Sequence, residues 1–401
     1  MRLASKVGDA ETGRSRELGM KNVTNLGIVS LLTDVSTEMI LGVLPFFVVV
    51  ELGATKAMLG LMEGTAEFLN YVFRVFSGVI SDRLGRRKPL VLLGYGFSTF
   101  AKPLFAFATS WADVLVVRLA DRLGKGVRTS PRDALISESV KEAQSGRAFG
   151  LHRSIDQLGA ILGPTFAFLL LPFLGTRGLF WMSFIPGFLA LVVLAFFVQD
   201  RRGKGTTASV FKNARSILTR KFKLFLIVMG IFALGAYNFS FILVKAGALG
   251  VQEGTIPLVY ATLNVATVVA GLPSGLLADR FGREKILLAG FCIFSASSLA
   301  GMVTTEGALS AFLIAFIYGS YLGISETLQR ALVPSFVSSE FKGTAYGVYY
   351  LVIGTCSLAA NLVFGILWDQ VSMGAAFQYS VVTSSAAIIG LAAFIVAKPR
   401  T

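Results

Sequence analysis

Residues 78–88 read GVISDRLGRRK, and residues 275–285 read GLLADRFGREK. Gly78, Asp82, Arg83, Gly85 and Arg86 stand opposite Gly275, Asp279, Arg280, Gly282 and Arg283, an offset of 197 (279 − 82). Keeping that offset, Gly53 meets Gly250, Thr65 meets Thr262, Gly126 meets Gly323, and GRAFG from Gly146 meets GTAYG from Gly343. One register held without a gap over that distance marks an internal duplication, each copy filling close to half of the chain.

The 401 residues are 54% hydrophobic and 15% charged, with a mean hydropathy of +0.70. A soluble domain carries about a quarter charged residues, so the composition points to a polytopic membrane protein. Twelve apolar runs are long enough to cross about 30 Å of hydrocarbon at 1.5 Å per residue. They lie near 23–49, 57–80, 89–109, 112–136, 146–171, 177–198, 222–245, 254–277, 286–304, 308–333, 343–367 and 374–397. The net charge of +14 sits mainly between these runs, which suits a membrane surface rather than nucleic acid. RSRELGMK, DRLGRRK, the stretch 199–223, DRFGREK and the final KPR fall on one side, against little more than Lys56, Arg177 and Lys245 on the other. That asymmetry places both termini in the cytoplasm.

The expected organisation is all-α: a flexible cytoplasmic tail (1–22), a six-helix bundle (23–198), a basic cytoplasmic linker (199–221), a second six-helix bundle (222–397) and a short cytoplasmic tail (398–401). Met1 to Lys21 is polar and lacks the apolar centre of a cleavable leader. Cys292 and Cys356 lie inside apolar runs, so no disulfide framework is expected. Histidine and cysteine are too scarce for a zinc or iron–sulfur centre, so no cofactor and no resident metal are expected.

The paired loop motif resembles the signature of the major facilitator superfamily, and the resemblance covers nearly everything after the tail. It implies twelve spans in two pseudo-symmetric six-helix bundles, alternating access, and a cavity lined by spans one, four, seven and ten. It further implies that each loop aspartate faces the start of a helix in the opposite half and latches the cytoplasmic side. Asp82 would then meet span eleven near Lys342 and Gly343, and Asp279 would meet span five near Gly146. In span five, GAILGPTFA with Gly159, Gly163 and Pro164 matches the glycine–proline motif of the family's exporters, but Ala167 and Phe168 stand where that pattern continues in glycine. The same residues also read as a close helix contact with a proline bend.

Ionisable residues inside spans are costly in a bilayer and point to function. Asp34 and Glu38 are i and i+4 on span one, about 6 Å apart along the axis. Arg118, Arg122 and Lys125 form a stripe on span four with Asp121 beside it, at a depth overlapping that of the carboxylates. Opposed, the two sets form either a proton- or anion-responsive switch or a fixed salt bridge. Glu67 and Asn238 are further cavity candidates, and Glu326 and Arg330 are spaced to pair along span ten. Arg128, Arg132, Asp133, His152, Arg153 and Asp156 gather near the cytoplasm as a tie between spans four and five, with His152 a candidate proton relay.

Together these features predict a proton-coupled secondary transporter that exports a small organic compound. Asp34 and Glu38 exchange protons in this reading, and Arg118 and Arg122 act as counter-charges or as ligands for a substrate anion. Uptake of an organic anion with protons, divalent metal export and, in a different class, a non-transporting sensor or scaffold stay open. No nucleophile stands at recognisable spacing from a base, so no enzyme is expected. The expected partners are the substrate, protons and the plasma membrane bilayer, with the protein working as a monomer.

Overall fold

In hydrocarbon every backbone N–H and C=O must be paired within its own segment or within a closed barrel, so apolar runs of this length fold as helices. The computed structural model describes residues 2–141, 144–200, 217–338 and 341–397, with side chains for all of these except 2–18 and 330. Its long helices are α1 (Arg2–Leu41), α2 (Lys56–Leu84), α3 (Lys88–Ala101), α4 (Trp111–Ser139), α5 (Ser145–Met182) and α6 (Phe184–Phe197). The second set is α7 (Arg220–Gly235), α8 (Ile256–Phe281), α9 (Arg283–Val303), α10 (Ala308–Leu332), α11 (Lys342–Gln370) and α12 (Met373–Val396). Short pieces extend several of them: Leu44–Phe46 and Phe47–Glu51 after α1, Lys102–Phe107 after α3, and Ser240–Ala248 after α7.

Among the described residues, nine stretches are long and apolar enough to cross a membrane. The longest, Ser145–Phe197, holds two spans, because Gly175 at φ 63° and ψ 176° breaks the helix. α2 and α4 carry more charges than these nine, and with them the spans number twelve. The duplication is visible in the packing. α1 packs on α5 and α6, α2 on α4, and α3 on α4 and α6; six helices later α7 packs on α11 and α12, α8 on α10, and α9 on α10 and α12. The halves meet chiefly through α2 against α11 and α5 against α8.

The shared register has a steric cause. A Cβ on Gly126 would lie 2.8 Å from the Asn70 carbonyl, and one on Gly323 2.1 Å from that of Thr267. These pairs are related by the offset of 197, so both copies need glycine where the fourth helix of the half crosses the second. Gly85 and Gly282, at φ 61° and 96°, end α2 and α8 in a conformation that glycine adopts without strain.

α1 begins at Arg2 and the apolar span within it at Gly19. Residues 2–18 contain no proline and are rich in good helix formers. Most of the linker (201–216) and the final tail lie outside the described residues.

The two ends of the bundle differ. At the end away from the motif loops, a Cβ on Gly60 would lie 2.1 Å from the Asn361 carbonyl, and one on Gly365 2.2 Å from that of Lys56. Asp369 there accepts the Ala57 N–H at 2.7 Å, which clamps the start of α2 to the end of α11. At the motif-loop end, Gly146 and Gly343 face open space, and Asp82 and Asp279 are exposed. The expected latches are therefore not made in this state. Asp82 instead accepts Arg87 Nη1 at 2.7 Å, and Arg87 also reaches Glu138 at 2.9 Å, all within one half. Among the described residues Asp279 has no ion pair. Arg83, Arg86 and Arg280 are exposed, and Arg283 donates to the Ala331 carbonyl at 3.0 Å. Gly60→Ala should cost about 1–3 kcal/mol by overpacking, read as a lower melting temperature in detergent, because backbone rather than a yielding side chain occupies the space.

Candidate functional site

A cavity of about 380 Å³ lies between the halves, bordered by α1, α2, α4, α5, α7, α8, α10 and α11. Its two walls differ in chemistry. The first half presents Asp34, Glu38, Glu67, Arg74, Arg122, Lys125, Arg128, Arg132, Arg153 and Asp156, whereas the second presents tyrosines, Phe232, Asn238 and, among the described residues, one charge, Glu326.

The α1 carboxylates are seated by the glycine motif of α5. A Cβ on Gly159 would lie 3.0 Å from Asp34 Cβ, and one on Gly163 2.6 Å from Glu38 Cβ. The i, i+4 spacing of the glycines matches that of the carboxylates, so the two helices touch at successive turns. Buried Pro164 follows directly. Of the two readings of this motif, the close helix contact is the one with visible geometry.

Asp34, seated against Gly159, faces Asp156 of α5. Asp156 accepts from Ser30 Oγ and lies 3.4 Å from Arg153 Nη1. Glu38 crosses the interface: Tyr260 of α8 donates its hydroxyl to Glu38 Oε2 at 2.5 Å. Nearby, a Cβ on Gly42 would lie 3.5 Å from Pro257, so this bond sits beside the closed end.

The expected opposition of Asp34 and Glu38 to Arg118 is corrected. Arg118 is 1% exposed and lies behind the cavity wall, where its Nη2 donates to Glu63 Oε2 at 2.7 Å and its Nη1 lies 3.6 Å from Asp121. Ser98 Oγ donates to Asp121 at 2.5 Å, and Lys102 Nζ to Ser36 Oγ at 2.9 Å. These groups form a buried polar network inside the first half. Arg122 does line the cavity together with Lys125. Glu67, Asp121, Glu63 and Glu38 act on Arg122 through space.

The cluster near the motif-loop end is joined differently from the expected tie of spans four and five. Arg132 pairs with Asp133 of its own helix at 2.9 Å and donates to Ser30 Oγ of α1 at 3.2 Å. Ser30 in turn reaches Asp156, so α1 bridges α4 and α5. Arg74 lies 3.7 Å from Asp133, Arg128 stacks over Tyr95, and His152 is buried with no hydrogen-bond partner at Nε2. Glu326 pairs across the halves with Arg153 at 2.8 Å; the side chain of Arg330 lies outside the described residues. Asn238 accepts from the Ser240 N–H at 2.9 Å, while its own N–H donates to Asn361 at 2.7 Å, so it pins the break in α7.

Three participants were missed as such: Glu63 as the partner of Arg118, Tyr260 as the partner of Glu38, and Lys125 as a wall residue. The first had a readable signal, since Glu63, Glu67, Asn70 and Arg74 recur at i, i+4, i+7 and i+11 along one face of α2. Among the described residues, no group of three or more His, Cys, Asp or Glu side chains is placed to hold a metal.

Two repeated six-helix bundles around a charged central cavity, packed at one end and parted at the other, define a membrane transporter of the repeat-built kind. The chain belongs to the Major Facilitator Superfamily, whose family description matches residues 26–246 and 224–401. It is 33% identical to an MFS-type transporter of Methanocaldococcus jannaschii over 372 residues, 91% of this chain and 92% of that one. It is 27% identical to the multidrug resistance protein MdtG of Proteus mirabilis over 316 residues, 74% and 77% of the two chains. In fold it is similar to the nucleoside transporter NupG, with a TM-score of 0.77 at 12% identity over 94% and 99% of the chains. A bacterial homolog of the lysosomal transporter Spinster, solved inward-facing and unoccupied, gives a TM-score of 0.70 at 15% identity over 94% and 95%.

Proposed function

We propose that the protein is a proton-coupled secondary transporter of a small organic compound, working by alternating access through the central cavity. The observation that carries this reading is the Glu38–Tyr260 bond, which joins a titratable carboxylate of one half to the other half beside the closed end. Opening that end must break the bond. A hydrogen bond to a charged acceptor contributes about 1.5–3 kcal/mol, and protonating Glu38 removes the charge, so proton binding biases the halves toward parting. Asp34, one turn from Glu38 and facing Asp156, offers a second proton position. The basic loops at the parted end support a cytoplasmic position for that end, and the protein acts in this reading in the plasma membrane. One chain encloses the whole cavity, which supports function as a monomer.

Export is favoured by the glycine–proline stretch and by the relative named as a multidrug resistance protein; uptake with protons is favoured by the basic character of the first-half wall. A proton gradient imposed on proteoliposomes tests the reading. Gradient-driven flux that empties loaded vesicles marks export, flux that loads them marks uptake, and flux indifferent to the gradient sinks proton coupling. Tyr260→Phe should shift the resting population about 10- to 100-fold toward opening of the closed end, the factor equivalent to the lost bond. Spin-label distances between Glu51 and Gln252, exposed on the two halves at that end, would report the change.

A further inference from the structure

We propose that Arg122 and Lys125 form an anion clamp, and that the transported compound is an organic anion with a planar apolar body. The inference rests on the reading of this cavity as the transport site and adds the chemical class of its ligand.

The reason lies in how the lining cations are satisfied. Arg132 is held by Asp133 and Ser30, Arg153 by Glu326 and Asp156, Arg74 lies beside Asp133 and over Tyr350, and Arg128 stacks on Tyr95. Among the described lining residues, Arg122 and Lys125 are the cations whose side chains make no hydrogen bond, ion pair or ring contact, and Arg122 is 5% exposed with an orphaned buried Nε. A guanidinium in that position is expensive unless an anion meets it.

The neighbouring carboxylates act on both cations only through space. Two of them are engaged elsewhere, Glu38 with Tyr260 and Glu67 with Asn70 Nδ2 at 3.1 Å, and none forms an ion pair with Arg122 or Lys125. Arg122 and Lys125, at i and i+3, present a fork and a point charge from one helix face, which suits a carboxylate or a phosphate monoester. The facing wall supplies a cluster of rings, with Tyr318 stacked on Tyr237 at 5.4 Å and edge-on to Tyr321 at 5.6 Å, and with Phe232 tilted 5.6 Å from Tyr321. A cavity of about 380 Å³ falls in the range that encloses a small molecule with a few fixed polar contacts. An acidic group at the clamp and a ring against the tyrosines fill both walls at once.

The test is binding at one fixed pH to purified full-length protein in phosphatidylcholine nanodiscs, with benzoate, phenyl phosphate, benzamide and benzylammonium as probes. The two anions should bind at least about 10-fold more tightly than benzamide, and benzylammonium more weakly still. Arg122→Gln and Lys125→Gln should each weaken benzoate by about 10-fold or more at an unchanged melting temperature, whereas Arg122→Lys retains part of the affinity. Including phosphatidylglycerol in the nanodiscs separates the sources of the anion: competition with benzoate shows that a lipid headgroup reaches the clamp, and its absence assigns the clamp to soluble anions. Equal binding of benzamide and benzoate, preference for benzylammonium, no binding of any probe, or variants that fold and still bind benzoate normally would each overturn the clamp. Proton coupling is read separately by gradient-driven flux, so either claim can fail alone.

Discussion

Exchanging Glu38 for glutamine should reduce proton-driven flux of a bound probe into or out of proteoliposomes by at least about 10-fold, and adding Asp34→Asn should remove the response to the gradient, while probe exchange without a gradient continues. Glutamine still accepts from Tyr260 but no longer titrates, so the halves keep a contact and lose its dependence on protons. The groups facing these carboxylates come from several helices: Lys125 and Arg122 on α4, Asp156 on α5 and Tyr260 on α8, with Arg118 acting on Glu38 from behind the wall. An anion seated at Arg122 and Lys125 withdraws counter-charge from Glu38 and Asp34 and so favours their protonation. By linkage the proton then favours the anion to the same degree. If the clamp holds, proton and anion travel together and the gradient loads vesicles. Flux in the double variant that still follows the gradient would assign coupling elsewhere.

The largest expected effect on stability lies behind the wall. Glu63→Ala should destabilise the protein by about 3–5 kcal/mol, because it leaves the Arg118 guanidinium buried without its closest partner. The side chains are 1% and 2% exposed, so solvent offers no relief. Glu63→Leu combined with Arg118→Met should recover much of the loss, since a well-packed apolar pair replaces the ion pair without stranding a charge. The measurement is the melting temperature of each variant in the same detergent. Arg118 and Arg122 are thereby separated, one holding α4 to α2 and the other facing the ligand space. Equal melting temperatures for Glu63→Ala and the parent would show that Arg118 has another partner.

The fold was legible to an unusual degree because each copy of the repeat carries the same local demands. Gly126 and Gly323 allow the same helix crossing, Gly85 and Gly282 end the same helix, and the loop motifs recur at the same offset. α2 and α4 stand out less as spans than the others because their charges lower their hydropathy, and the repeat supports them. The glycine motif of α5 was legible as a contact but not as the seat of Asp34 and Glu38, because the sequence does not say which turn of α1 lies against it. The pairings that cross the halves, Glu38 with Tyr260 and Arg153 with Glu326, join residues 222 and 173 positions apart. No local period predicts such partners.

By itself the sequence determined the helices, their number, the duplication and the side on which the basic loops gather, because hydrocarbon leaves the backbone little choice and the pattern of apolar residues is set turn by turn. Only the tertiary structure decided which charges of one stripe face the cavity and which are sealed behind it. Arg118 and Arg122 differ by a single turn of α4, yet one meets Glu63 across the α2 contact and the other meets open space. The tertiary structure also decided that Asp82 is bound to Arg87 and Asp279 is exposed. That outcome depends on how far the two halves stand apart, which is a property of the assembled bundle and its state rather than of any segment.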